Sequence, residues 1–108
     1  MNEDELSQVF RALSDRTRRD ILRRTLTGVV SVSGLAADYQ MSFAAVQKHV
    51  AVLEAAGLVV KTTAGRERLV RADPTQLARA RAALQALEQL WRHRLEGLDA
   101  VLTPPKKG

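Results

Sequence analysis

The chain has 108 residues, 45% of them hydrophobic, enough for one packed core and too few for a catalytic domain beside a separate binding domain. Lys and Arg number 17 against 12 Asp and Glu, a formal charge of +5 that favours an anionic partner such as nucleic acid. Cysteine is absent, which excludes disulfides and thiolate metal sites; the opening MNEDEL is acidic rather than signal-like, and no apolar run approaches the ~20 residues of a membrane span. These features predict a cytoplasmic protein without membrane contact.

In chain order, Leu6, Val9, Phe10 and Leu13 mark one face of a first helix from about Asp4 to Leu13. Asp15 is placed to cap a second helix from Arg16 to about Leu26 that buries Ile21, Leu22 and Leu26, and Gly28 ends it. Ser31 caps a third helix whose apolar stripe is Val32, Leu35, Ala36 and Tyr39. Gln40, Met41 and Ser42 leave room only for a turn. Ser42 then caps a fourth helix with Val46, Val50 and Leu53 on its inner stripe, and Met41 is placed to staple onto Val46. Gly57 suits the left-handed position that stops this helix at about Ala56, with Leu58 folding back on Leu53. Two short helices so joined are the layout of a helix-turn-helix, whose second helix enters the DNA major groove.

From Leu58 the period changes. Leu58 to Thr62 and Glu67 to Ala72 read as strands separated by TAGR, with Gly65 for the turn, which is a hairpin or wing. Residues 58 to 72 carry four basic side chains and one acidic, the largest share of the net charge. Asp73-Pro74-Thr75-Gln76 has the pattern of a capping box with Pro at the first helical position. Leu77, Ala80, Leu84, Leu87, Trp91, Leu95, Leu98 and Leu102 then recur at helical spacing over roughly 40 Å. A helix that long outruns the core beneath it. Its surplus stripe, Leu84, Leu87, Trp91, Leu95 and Leu98, together with Leu6 and Phe10, is expected to meet a second subunit. The tail TPPKKG predicts disorder over residues 104–108, leaving one domain over residues 1–103.

This order of elements resembles the ArsR/SmtB family of dimeric winged-helix repressors. FRALSDRTRRDIL is similar to that family's second-helix signature, SFAAVQKHVAVLEAAGLV to its recognition helix and the start of its wing, and WRHRLEGLDAVL to the last helix of its metal-free members. The sequence departs at Arg16, where the family commonly has Pro, and at Gln40, where helix-turn-helix proteins often place Gly, so a left-handed Gln40 would be modestly strained. The resemblance implies a mainly α fold with a small β-hairpin, a winged helix-turn-helix that dimerises through its first and last helices and represses transcription.

On the fourth helix Ser42, Phe43, Ala44, Gln47 and Lys48 lie opposite the buried stripe. Gln47 can pair with an adenine edge, Phe43 or Ala44 can touch a thymine methyl, and Lys48 can reach a guanine or a phosphate; Ser42 and the helix N-terminus suit a phosphate. In the wing, Lys61, Arg66, Arg68 and Arg71 can neutralise phosphates, with Arg66 beside Gly65 favoured for the minor groove, since alternating strand residues cannot all face one way. The bland alternative for both is a solvated charged surface. Arg18, Arg19, Arg23 and Arg24 read as solvated or ion-paired first and as phosphate contacts second, with Arg18 or Arg19 able to pair with Asp15, Asp20 or the acidic first helix, and His49 reads as a packing or backbone-bonding residue.

Much of the family binds metal ions, at third-helix cysteines or at acid and His pairs on the last helix. Here LAADY offers only Asp38, and His93 and Glu96 supply one half of the last-helix site while Ala80 and Ala82 stand in the other half. Two ligands do not close a tetrahedral site, so neither metal nor cofactor is expected. No Cys nucleophile, P-loop or His–Ser pairing suggests an enzyme. The reading is a homodimeric regulator of double-stranded DNA that acts as a repressor at an inverted repeat, its effector unspecified by any motif. The alternatives are a metal-responsive repressor using His93 and Glu96, and a winged-helix protein-interaction module.

Overall fold

A computed structural model describes residues 1–102, with side chains through Leu98; the tail predicted to be disordered lies outside the described residues. The order is α1 (Glu3–Leu13), α2 (Arg16–Thr27), β1 (Val30–Ser31), α3 (Val32–Tyr39), α4 (Phe43–Ala55), β2 (Val59–Ala64), β3 (Glu67–Ala72) and α5 (Pro74–Leu102). Capping sets most of these bounds. The side chains of Asn2, Asp15, Ser31 and Ser42 each accept a hydrogen bond from the backbone N–H three residues on, so α1 starts one residue before the sequence suggests. At the end of α4, Gly57 takes φ 77 while its N–H bonds Glu54 O at 2.9 Å and the Leu58 N–H bonds Leu53 O at 3.0 Å, the paired closure of a Schellman motif.

The helices surround one core in which Val9, Ile21, Val32, Leu35, Val46, Val50, Leu53, Leu58, Val59 and Val70 are almost wholly buried. Each contributes roughly 1.5–3 kcal/mol relative to exposure. An antiparallel sheet in the order β1-β3-β2 closes one side. The strand β1 is not legible in the sequence: it has two residues, and its pairing of Val30 with Val70 is set only by the distant β3.

Three expectations are corrected. Leu26 is 47% exposed and Thr25 is buried in its stead. At about 100° per residue, position 25 falls between Ile21 and Leu22, whereas position 26 falls beyond them; the Thr25 hydroxyl donates to Leu22 O, which makes its burial tolerable. The Asp73–Gln76 capping box is open, because the Asp73 N–H is already given to Leu58 O, and Gln76 instead donates its amide to Ala56 O at 2.9 Å. Leu6 is buried within the protomer at 7% exposure, so its side chain is used inside the fold rather than at its surface.

Candidate nucleic-acid interface

The turn between α3 and α4 is held at both ends. Gln40 adopts φ 54 and ψ 43, the left-handed conformation, while the Met41 N–H bonds back to Ala36 O at 3.0 Å. Met41 is half-buried against the core, as a staple requires. With Val46, Val50 and Leu53 sealed inside, Ser42, Phe43, Ala44 and Lys48 are exposed on the other side of α4. Gln47 differs from expectation: it is half-buried, and its Oε1 is enclosed without a hydrogen-bond partner. An unmet buried acceptor costs about 1–3 kcal/mol, so this amide gains by turning outward onto a donor such as an adenine N6 amine.

In the wing, Ala64 pairs with Glu67 around a two-residue turn in which Gly65 has φ 62. Strand alternation sorts the cations. Val59, Lys61 and Thr63 share a face with their partners Ala72, Val70 and Arg68, and this face carries the buried Val59 and Val70. Arg71 and Glu67 lie on the opposite face. Arg66 is exposed at the tip, and the Arg68 guanidinium stands 6.0 Å from the centre of the Phe43 ring.

Four arginines of α2, Arg18, Arg19, Arg23 and Arg24, have structural partners, though not the carboxylates expected for Arg18 and Arg19. Arg18 donates from Nε to Ala12 O at 2.8 Å and from Nη2 to Arg11 O at 2.9 Å, and Arg19 donates to Leu13 O at 2.8 Å. They satisfy the carbonyl end of α1, where a helix favours cations. Arg23 pairs with Asp20, and Arg24 pairs with Asp38 while lying over the Tyr39 ring. The Tyr39 hydroxyl donates to Asp20; burial and that bond push the phenol up to about 12. His49 faces side chains rather than backbone, its Nδ1 3.4 Å from Arg18 Nη1 and 3.8 Å from Asp15 Oδ2. The capping bond from the Arg18 N–H holds the Asp15 carboxyl below its ordinary range; burial opposes it, and the electrostatic effects of His49 and Arg18 add to the lowering.

Away from this face, α5 leaves the core after Ala80, and every side chain from Leu84 to Leu98 is exposed, including Leu87, Trp91 and Leu95. Phe10 is 42% exposed beside it, and Phe10, Val9, Leu13, Leu77 and Leu84 line an apolar groove of about 440 Å³. His93 and Glu96 stand exposed on the same helix, and among the described residues no three His, Cys, Asp or Glu side chains gather as a metal site. No helix among the described residues is long and apolar enough to cross a membrane.

No family model matches the chain. It is 39% identical over 90 residues to the HTH-type transcriptional regulator Rv2034 of Mycobacterium tuberculosis, covering 83% of this chain and 81% of that protein. An ArsR-like transcriptional regulator from Rhodococcus sp. RHA1 superposes with a TM-score of 0.81 at 35% identity, over 92% of this chain and 93% of the other. A fold likeness extends to the homodimeric winged helix-turn-helix DNA-binding domain Mb0332 of Mycobacterium bovis, with a TM-score of 0.65 at 24% identity over 80% of each chain. These relatives are regulators of transcription, and none indicates an enzymatic family. With its helix-turn-helix, wing and long last helix in the same order, the chain belongs to the ArsR family of winged helix-turn-helix DNA-binding transcriptional regulators.

Proposed function

We propose that the protein is a homodimeric repressor that occupies an inverted-repeat operator and so blocks access of RNA polymerase. The observation that carries this is the exposed polar face of α4, held rigid by its sealed apolar face and flanked by wing cations. Ser42 and the α4 N-terminus take a backbone phosphate, Ala44 a thymine methyl, Gln47 an adenine and Lys48 a guanine or phosphate, while Arg66 reaches the minor groove. The unpartnered α5 stripe and adjoining groove support a second copy of the chain as the partner, as does the homodimeric state of the similarly folded Mb0332 domain. A two-fold axis then sets the recognition helices in successive major grooves, about 10 bp apart.

The test is a gel-shift titration of the protein with the DNA upstream of its own gene at several salt concentrations. Binding should weaken steeply as salt rises, since phosphate neutralisation releases counterions. The double substitution Gln47→Ala/Lys48→Ala should reduce specific binding more than non-specific binding. Salt-insensitive binding that also ignores these substitutions overturns the proposal.

A further inference from the structure

We propose that Arg68 is the phosphate anchor at the junction of wing and recognition helix, and that Phe43 is its stacking platform rather than a reader of thymine methyls. The inference rests on the DNA-reading function proposed above and adds a residue and a division of labour to it. Three observations converge on Arg68. Its guanidinium lies 6.0 Å from the centre of the Phe43 ring, so a wing cation is held against the first residue of the recognition helix. Its register opposite Thr63 puts it on the face shared with Lys61 and Val70, whereas Arg71 is on the other. Both Arg68 and Phe43 are exposed, so neither is committed to the core.

Groove geometry supplies the ligand. With α4 in the major groove and the tip residue Arg66 at the neighbouring minor groove, one sugar-phosphate strand must pass beneath the junction between them. Arg68 is two residues back from Arg66, a distance of about 7 Å along the strand. The minor groove is itself only about 6 Å wide, so Arg68 falls on the strand that borders it rather than inside it. A planar guanidinium held over a ring face by a cation–π contact keeps its N–H edge free for two parallel bonds to phosphate oxygens, and the contact biases its direction before DNA arrives. The same contact sets the guanidinium over one face of the Phe43 ring. Phe43 then acts through Arg68, which makes it a positioning residue that ties the wing to the helix.

The test is fluorescence anisotropy with a random-sequence duplex and with the upstream DNA, across salt, because a phosphate contact is independent of sequence. Arg68→Ala should lower the salt slope of log K by about 0.9 for each protomer engaged, equally on both duplexes, and Arg71→Ala should leave it unchanged. Arg68→Lys should keep most of the slope but bind more weakly. Phe43→Leu should weaken the wild type yet cost nothing further in the Arg68→Ala background, a non-additive cycle. A wild-type slope in Arg68→Ala, or fully additive effects of the two substitutions, overturns the inference while leaving DNA reading intact. If the wild type binds neither duplex, the proposed function falls and this inference with it. Circular dichroism melting of each variant, expected near the wild-type value because both side chains are exposed, shows that the fold is kept.

Discussion

Gln40 holds the sharpest local conflict between residue type and conformation. A left-handed backbone at φ 54 costs a side-chain-bearing residue roughly 1–2 kcal/mol, part of which glycine would return as chain entropy. Gln40→Gly is therefore expected to stabilise the protein by about 0.5–1 kcal/mol in urea unfolding, without altering DNA affinity. Arg18 is the contrasting case, since removal of its guanidinium takes the Nε donor from the part-buried carbonyl of Ala12, whereas Arg11 O keeps the Ser14 N–H and hydroxyl. Arg18→Ala should cost about 1–3 kcal/mol, against less than about 0.5 kcal/mol for the solvated Arg23→Ala. The neighbouring Asp15 gives a pH signature of known sign. Its folded-state pKa is depressed, so the stability it contributes is complete above the ordinary aspartate range and is lost as pH falls through the lower folded value. Because Asn caps helices as well as Asp does, Asp15→Asn should flatten this part of the acid-unfolding curve, at and below the ordinary aspartate range, while keeping the cap.

Element by element, legibility tracks how local the determining interaction is. Caps at Asp15, Ser31 and Ser42 and the glycine stop at Gly57 act within three to five residues, and all were readable in the sequence. The inner stripe of α4 was readable too, because three apolar residues at helical spacing have one way to be buried. What stayed hidden depends on partners far along the chain. Arg18 finds α1 carbonyls instead of an acid, Gln76 finds Ala56 O instead of its own cap, and the two residues of β1 become a strand only by meeting β3. In the site, Ser42, Phe43, Ala44 and Lys48 are exposed where periodicity placed them, but the enclosure of the Gln47 amide and the Arg68–Phe43 stack require knowing where the wing folds. Gly57 marks another such cross-element constraint: a Cβ there would meet the Gln76 side chain at 3.1 Å as well as an unfavourable φ. Gly57→Ala is expected to destabilise the protein by about 1–2 kcal/mol, read as a lowered urea midpoint at constant slope.

At the scale of the whole molecule the dominant fact is its elongation, 74 Å by 25 Å by 23 Å, with a radius of gyration of 19.8 Å where a compact domain of this length has about 13 Å. The extra length is α5 beyond Ala80. Leu87→Glu/Leu95→Glu should yield a monomer by sedimentation and weaken operator binding on the order of 100-fold, because the two half-sites no longer bind as one unit. The single tryptophan, Trp91, is 59% exposed in the protomer and lies on this stripe, so its emission should shift to the blue on self-association and return on dilution. The bare α5 stripe also bears on how a promoter under this regulator responds. If two chains must meet before either can hold the operator, the concentration of the active species rises as the square of the chain concentration while most chains are still single. A twofold fall in synthesis then lowers the dimer by about fourfold, so occupancy of the operator responds more steeply to protein abundance than it would for a regulator that binds as a single chain.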